Sequence, residues 1–328
     1  MIGFLSTFTD SFLLALLIWP FLAMFLTLPI VIVQYRVYNR LSIRRSLAIY
    51  FFILFVLGLI AFTLYPLPDN SAEFCANHSL YPQLNLLQFV FDFQKDGMSV
   101  ILQLVMNFVL FLPFGVFAKL LFRWRFVTTL VVCFLSSVLV EVAQLTGVFG
   151  LYPCSYRLFD VDDILLNTMG GIAGYALACL APQSADKKAK SDEYVNKPGL
   201  FRNIVAFILD QMLATVSSMV IVLLMYFIFG GQVAGLIERA ITVIMVFVFH
   251  VLIPFVFKGG SVGGWFVRLN HDDHKRSSAD RALYYFARAI IVFLILFPPY
   301  YDWLSWLTIV AILIIWWKSR KLPYQLLP

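Results

Sequence analysis

Apolar residues run along this chain in long unbroken stretches, and polar positions fall mostly between the stretches rather than alternating within them. About 18 apolar residues suffice to cross a ~30 Å hydrocarbon core as a helix, which satisfies its own backbone hydrogen bonds there. The pattern predicts nine such helices, at residues 11–33, 47–65, 100–121, 126–147, 164–181, 203–229, 237–257, 284–298 and 303–317. The last two are short; Pro298 and Pro299 are read as the turn between them, because Asp302 would be costly at the centre of one longer helix. The fold class expected is all-α, a multi-pass integral membrane protein with no soluble domain large enough to fold alone. The first stretch follows no basic region and is too long for a signal h-region, so it is expected to stay as a helix.

Composition supports membrane solvation: 62% of the 328 residues are hydrophobic and 13% charged, where soluble domains carry about a quarter charged. The net charge of +6 matters through its placement. Arg36, Arg40, Arg44 and Arg45 follow the first span, Lys119, Arg123 and Arg125 the third, and Lys187 to Arg202 the fifth; further basic groups follow the seventh and ninth. The opposite loops hold only Lys95, Arg157 and Arg239. By the positive-inside rule the amino terminus is expected outside and the carboxyl terminus in the cytoplasm of a bacterial cytoplasmic membrane. Charge so distributed orients the chain among membrane lipids and implies no nucleic-acid partner. Cys75 and Cys154 both fall in loops assigned to the oxidising outer face, so a disulfide and two unrelated thiols are both open.

Residues 182–198 are polar without an apolar period and read as a cytoplasmic linker between a five-helix domain, residues 1–181, and a four-helix domain, residues 199–328. In the long outer loop Asn85, Gln88 and Asp92 repeat at helical spacing among apolar residues, which predicts an amphipathic surface helix.

Polar residues inside spans are the informative exceptions. Asn107 and Glu141 each sit about 10 Å below the expected outer surface. Ser137, Glu141 and Gln144 share one helical face, and Arg157, Asp160, Asp162, Asp163 and Asn167 gather where the fifth span begins. Together they suggest an outward-facing pocket able to bind a cation, exchange a proton or hold a polar head group. The plainer alternative makes Asn107, Gln144 and Asn167 interhelical glue and Asp162 or Asp163 a helix cap, with Arg157 their ion partner. Gly170, Gly174 and Ala178 recur every four residues, a packing signal. In the second domain Asp210 is a membrane-buried acid, and an ion pair with Arg202 or Arg288 is its structural reading.

The segments Asn107-Phe-Val-Leu-Phe-Leu-Pro113-Phe-Gly115, Glu141-Val-Ala-Gln144 and Arg157-Leu-Phe-Asp160-Val-Asp162-Asp163-Ile-Leu-Leu-Asn167-Thr-Met-Gly170-Gly171 stand in the order of the VanZ-like family, which residues 25–181 resemble. One departure is Gln88, where that family usually carries proline. The resemblance implies a cell-envelope protein of the kind named for low-level resistance to the lipoglycopeptide teicoplanin. Residues 199–328 resemble an RDD domain at Arg202, Asp210, the glycine-rich Gly259–Gly264 and Arg288, but lack its closing His-Asp motif. Read from its residues, Gly259–Gly264 is a flexible loop and, without a Walker ending, no nucleotide site.

Three functions compete. The leading one is non-catalytic engagement of a lipid-linked or lipid-tailed glycan or glycopeptide by the outer pocket. An ion- or proton-coupled transporter would use Glu141 and Asp210 in turn. An intramembrane hydrolase or transferase would use Glu141 as base and Asp160, Asp162 and Asp163 to bind a metal beside a phosphate, yet no histidine joins the cluster: His78 stands alone and His271 and His274 lie beside Asp272 and Asp273 in a cytoplasmic loop. No cofactor or metal is implied.

Overall fold

The computed structural model describes residues 2–78, 80–86, 88–181, 199–229, 231–270, 276–297 and 303–327. The linker at 182–198, the segment with His271 and His274, and the turn with Pro298, Pro299 and Asp302 lie outside the described residues.

Among the described residues the chain is helical throughout, without a strand: α1 (Ile2–Tyr38), α2 (Ile43–Leu64), α3 (Ser71–Asn77), α4 (Gln88–Asp96), α5 (Met98–Leu120), α6 (Phe126–Leu145), a turn α7 (Gly147–Gly150), α8 (Val161–Cys179), α9 (Leu200–Phe229), α10 (Gly231–Phe247), a π-helical turn Val248–Leu252, α11 (Ile253–Val256), α12 (Val262–Phe266), α13 (Ser278–Leu296) and α14 (Trp303–Ser319). Among the described residues six helices are long and apolar enough to cross a membrane: within α1, α2, α5, α6 and α9, and Ile237–Val256 through the π turn. The other three expected spans are helices too, but α14 is shorter, α8 opens on Asp162 and Asp163, and α13 carries Asp280, Arg281 and Arg288. Large apolar side chains such as Phe25, Leu139, Phe227 and Trp317 are exposed, as expected of a multi-pass membrane protein whose outer solvent is lipid.

Polar side chains set several helix starts. Ser42 Oγ accepts from Arg45 N at 3.4 Å before α2, and Ser277 Oγ accepts from Asp280 N at 3.2 Å before α13. Of the outer-loop period Asn85, Gln88 and Asp92, the last two lie in α4, where Gln88 Nε2 donates to Asp92 Oδ1 at 3.3 Å, and Asn85 precedes the helix.

The chain divides into two compact units, Met1–Thr27 with Ser42–Asp186, and Leu28–Leu41 with Lys187–Pro328, so α1 contributes to both. In the first unit α8 lies between α5 and α6. Gly170 and Gly174 sit against the carbonyls of Phe108 and Leu112 on α5, Gly115 sits against the backbone of Gly171, and Gly171 itself faces Cys133 on α6. Without Cβ atoms the two backbones come together closely enough to hold polar groups from both helices side by side. In the second unit Val31, Tyr35, Val205, Ala206, Leu209, Val267 and Leu269 form one buried cluster.

Candidate functional site

The helices α2, α5, α6 and α8, with the chain ahead of α8, enclose a cavity of about 750 Å³ in the first unit. Asn107, Glu141, Gln144, Arg157, Asp160, Asp163 and Asn167 all line it. Asp162 does not: it is buried and turned away, its Oδ2 accepting from the Phe89 amide of α4 at 3.3 Å. Apolar side chains including Phe62, Met106, Leu110 and Leu158 complete the wall.

The start of α8 arranges the acids. Asp160, rather than Asp162 or Asp163, is the N-cap: its backbone is extended and its Oδ1 accepts from Asp162 N at 2.8 Å. The helix begins at Val161, one turn earlier than the apolar run suggested, because a capping oxygen supports polar residues in a first turn. Gln83 donates through Nε2 to the same Oδ1 at 3.1 Å, and its backbone pairs with Phe159 and Val161. The Glu141 carboxylate, 2% exposed, accepts from Asp160 N at 3.0 Å and so ties α6 to this cap.

The arginine is committed elsewhere. Arg157 donates from Nη1 to Phe62 O at 3.4 Å and from Nη2 to Tyr65 O at 3.3 Å, closing carbonyls at the end of α2, where a cation is favoured. Tyr156 adds its hydroxyl to Leu64 O at 3.2 Å. Burial lowers the Arg157 pKa, while Tyr156 and then Glu141 and Asp163 favour its charge. Burial raises Asp160, against the lowering effect of the Asp162 amide. Glu141, Asp160 and Asp163 thus bring three carboxyl groups into the lining of one cavity.

The amides divide between glue and lining. Gln144 Nε2 donates to Thr63 O at 2.8 Å, joining α6 to α2, and Asn167 Nδ2 donates to Ser137 Oγ at 2.9 Å, joining α8 to α6. Among the described residues Asn167 Oδ1 has no hydrogen-bond partner, and Asn107 Nδ2 faces the Asp163 carboxylate without closing a bond of normal geometry. Gln103, one turn before Asn107, also lines the cavity; its spacing of four was the available signal. Thr63 reaches it from the last turn of α2, and Tyr156 and His78 through loop paths that no local period announces. Cys75 and Cys154 are joined as a disulfide, their sulfurs 2.03 Å apart, which fastens α3, and with it Phe74 and His78, to the loop carrying Arg157. Among the described residues no group of three or more His, Cys, Asp or Glu side chains is placed to hold a metal.

In the second unit Arg202 and Asp210 do not pair. Arg202 donates to the side chain and carbonyl of Asn39 at the left-handed end of α1 and lies 4.4 Å from the Tyr35 ring centroid. Two turns before Asp210 on α9, Arg202 finds carbonyls and an aromatic face at once at the C-terminus of α1. Asp210 Oδ1 instead accepts from Gly263 N at 2.6 Å, with Ser261 as a second donor. The glycine-rich segment is therefore not an open loop: Ser261 caps α12, and Gly263 lies against the Ala206 carbonyl of α9.

Residues 52–182 match the family model described as VanZ/LLP1. No curated protein and no solved structure matches the chain. The segment matched contains α5, α6 and α8 and every acid of the cavity, whereas residues 199–328 fall outside it.

Proposed function

We propose that this is a cell-envelope membrane protein of the VanZ type, whose first-unit cavity engages the polar part of a lipid-linked or lipid-tailed glycan or glycopeptide without transforming it. The observation that carries the reading is the gathering of three carboxyl groups, Glu141, Asp160 and Asp163, in a cavity whose one arginine, Arg157, gives two of its N–H groups to the end of α2. Three acids outnumbering one arginine suit hydroxyl and amine groups, as on sugars and glycopeptides, better than phosphate oxygens. The apolar wall of Phe62, Met106 and Leu110 provides for an adjoining hydrocarbon tail. On this reading α8, α13 and α14 also cross the membrane, the amino terminus is outside, and the cavity opens outward.

The test is teicoplanin and vancomycin susceptibility of a sensitive Gram-positive host expressing the wild type, Glu141→Gln or Asp163→Asn at matched membrane levels. Selective protection against teicoplanin by the wild type, lost in both variants, is the expected result. Unchanged protection in both variants would remove the carboxylates from the mechanism, and no protection by the wild type would overturn the glycopeptide reading.

A further inference from the structure

The second unit contains a separate cavity of about 310 Å³, formed by α9, α13, α14 and the segment Leu322–Tyr324. Its sides are aliphatic, with Ile204, Ile291, Ile295, Ile309 and Leu313 among them, and one end is polar, where Asp210, Ser261, Arg288 and Tyr324 meet. The size is near the lower end of the ~300–1,000 Å³ range of small-molecule sites. It accommodates one hydrocarbon chain rather than two.

The two buried charges at the polar end are unequally served. Asp210, 1% exposed, has donors from Gly263 and Ser261. Arg288, 7% exposed, has an Nη1 with no hydrogen-bond partner among the described residues. The face of Tyr324, 5.6 Å from the guanidinium carbon, and the charge of Asp210 favour the cation but do not accept from Nη1. A guanidinium keeps its charge and all five donors, so a buried unpaired N–H there is a standing demand for an oxygen acceptor. A water serves the polar end alone, and the aliphatic walls beyond it stay dry unless an apolar occupant fills them. An acyl chain ending in an oxyanion satisfies walls and guanidinium together. Because Asp210 is close, a singly charged head is favoured over a doubly charged phosphate monoester.

We propose that this cavity binds a single acyl chain with its singly charged head, a carboxylate or a phosphodiester, accepting a hydrogen bond from Arg288 Nη1. The head belongs either to a free fatty acid or to a bilayer phospholipid that lodges one of its chains in the cavity.

The experiment uses the full chain in phosphatidylcholine nanodiscs with two photoreactive probes that share one diazirine-bearing chain, a fatty acid and a lysophosphatidylglycerol. Crosslinked peptides are mapped by mass spectrometry. Saturable labelling around Ile204, Ile291 and Ile309 is expected, weakened about tenfold or more by Arg288→Gln and abolished by Ile309→Trp, which fills the cavity and leaves the arginine in place. Labelling by the acid alone assigns the source to fatty acid, labelling by the lysolipid alone to phospholipid, and labelling by both to the shared charge. Absence of saturable labelling by either probe overturns the proposal. So does equal competition by the uncharged fatty alcohol of the same chain length, a control on the wild type that requires no variant to fold.

Discussion

Glu141, one turn before the end of α6, and Asp160 at the start of α8 are joined by one hydrogen bond, Asp160 N to Glu141 Oε2 at 3.0 Å. The acid is thereby both a lining group of the cavity and part of what positions the next acid. Two substitutions separate the roles. Glu141→Gln retains an acceptor oxygen and is expected to melt within about 1 kcal/mol of the wild type. Glu141→Ala leaves the Asp160 amide unpaired and is expected to cost about 1–3 kcal/mol. Thermal unfolding in a mild detergent measures both. An alanine variant as stable as the glutamine variant would show that the bond holds nothing in place.

Much of this was legible from spacing alone. Asn107, Glu141 and Asn167 each interrupt an apolar run, and such interruptions meet in space because burying them singly is costly. Pairings across the chain were not legible. That Arg157 serves the end of α2 rather than Asp163 depends on a loop bringing it to Phe62 and Tyr65, and no periodicity encodes a loop path. Arg202 shows the same limit: its partner Asn39 is far away in sequence, and only the packing of α1 against α9 reveals it. Asp162 is the opposite failure, a residue with the right chemistry that the helix turns toward α4.

Asp160 gives a pH prediction whose sign follows from its surroundings. Burial raises its folded-state pKa above the unfolded value, so its contribution to stability is complete below the unfolded pKa and is lost as pH rises through the folded one. At neutral pH the ionised side chain is therefore a small liability. Asp160→Asn keeps Oδ1 for both Asp162 N and Gln83 Nε2 and remains a good cap. The variant is expected to melt higher at pH 7, by less than about 1 kcal/mol because the side chain is only half-buried. The difference should close at about pH 3, below the ordinary aspartate pKa of about 3.9. A variant less stable at pH 7 would mean that the charge is compensated.

The Cys75–Cys154 bond spans 79 residues and anchors α3 beside the cavity. Cross-links over loops of this length typically contribute about 2–4 kcal/mol. Cys75→Ser, Cys154→Ser and the double variant are expected to lose the same amount, since each removes one shared bond, and reductant should bring the wild type to their level without affecting the variants further. Unequal losses between the single variants would indicate that one thiol has a role of its own.

The α5–α8 crossing yields the sharpest stability contrast, because two glycines in helices should respond in opposite directions to the same added methyl. At Gly58 in α2 a Cβ would meet only the Phe62 ring at 3.8 Å, an ordinary contact. There alanine removes backbone freedom from the unfolded chain, and Gly58→Ala is expected to be neutral or stabilising by up to about 1 kcal/mol. At Gly170 a Cβ would run into the backbone carbonyl of Phe108, which cannot swing aside as a side chain end can. Gly170→Ala must push α8 from α5, an overpacking cost of about 1–3 kcal/mol. Phe108 adjoins Asn107, and Gly170 lies one turn beyond Asn167, so the same displacement separates amides that line the cavity. Gly170→Ala should therefore lose teicoplanin protection as well as melting temperature, whereas Gly58→Ala should lose neither. If Gly170→Ala lowered the melting temperature and left protection intact, the cavity would tolerate a shift of its walls, and the close helix crossing would be needed for folding alone.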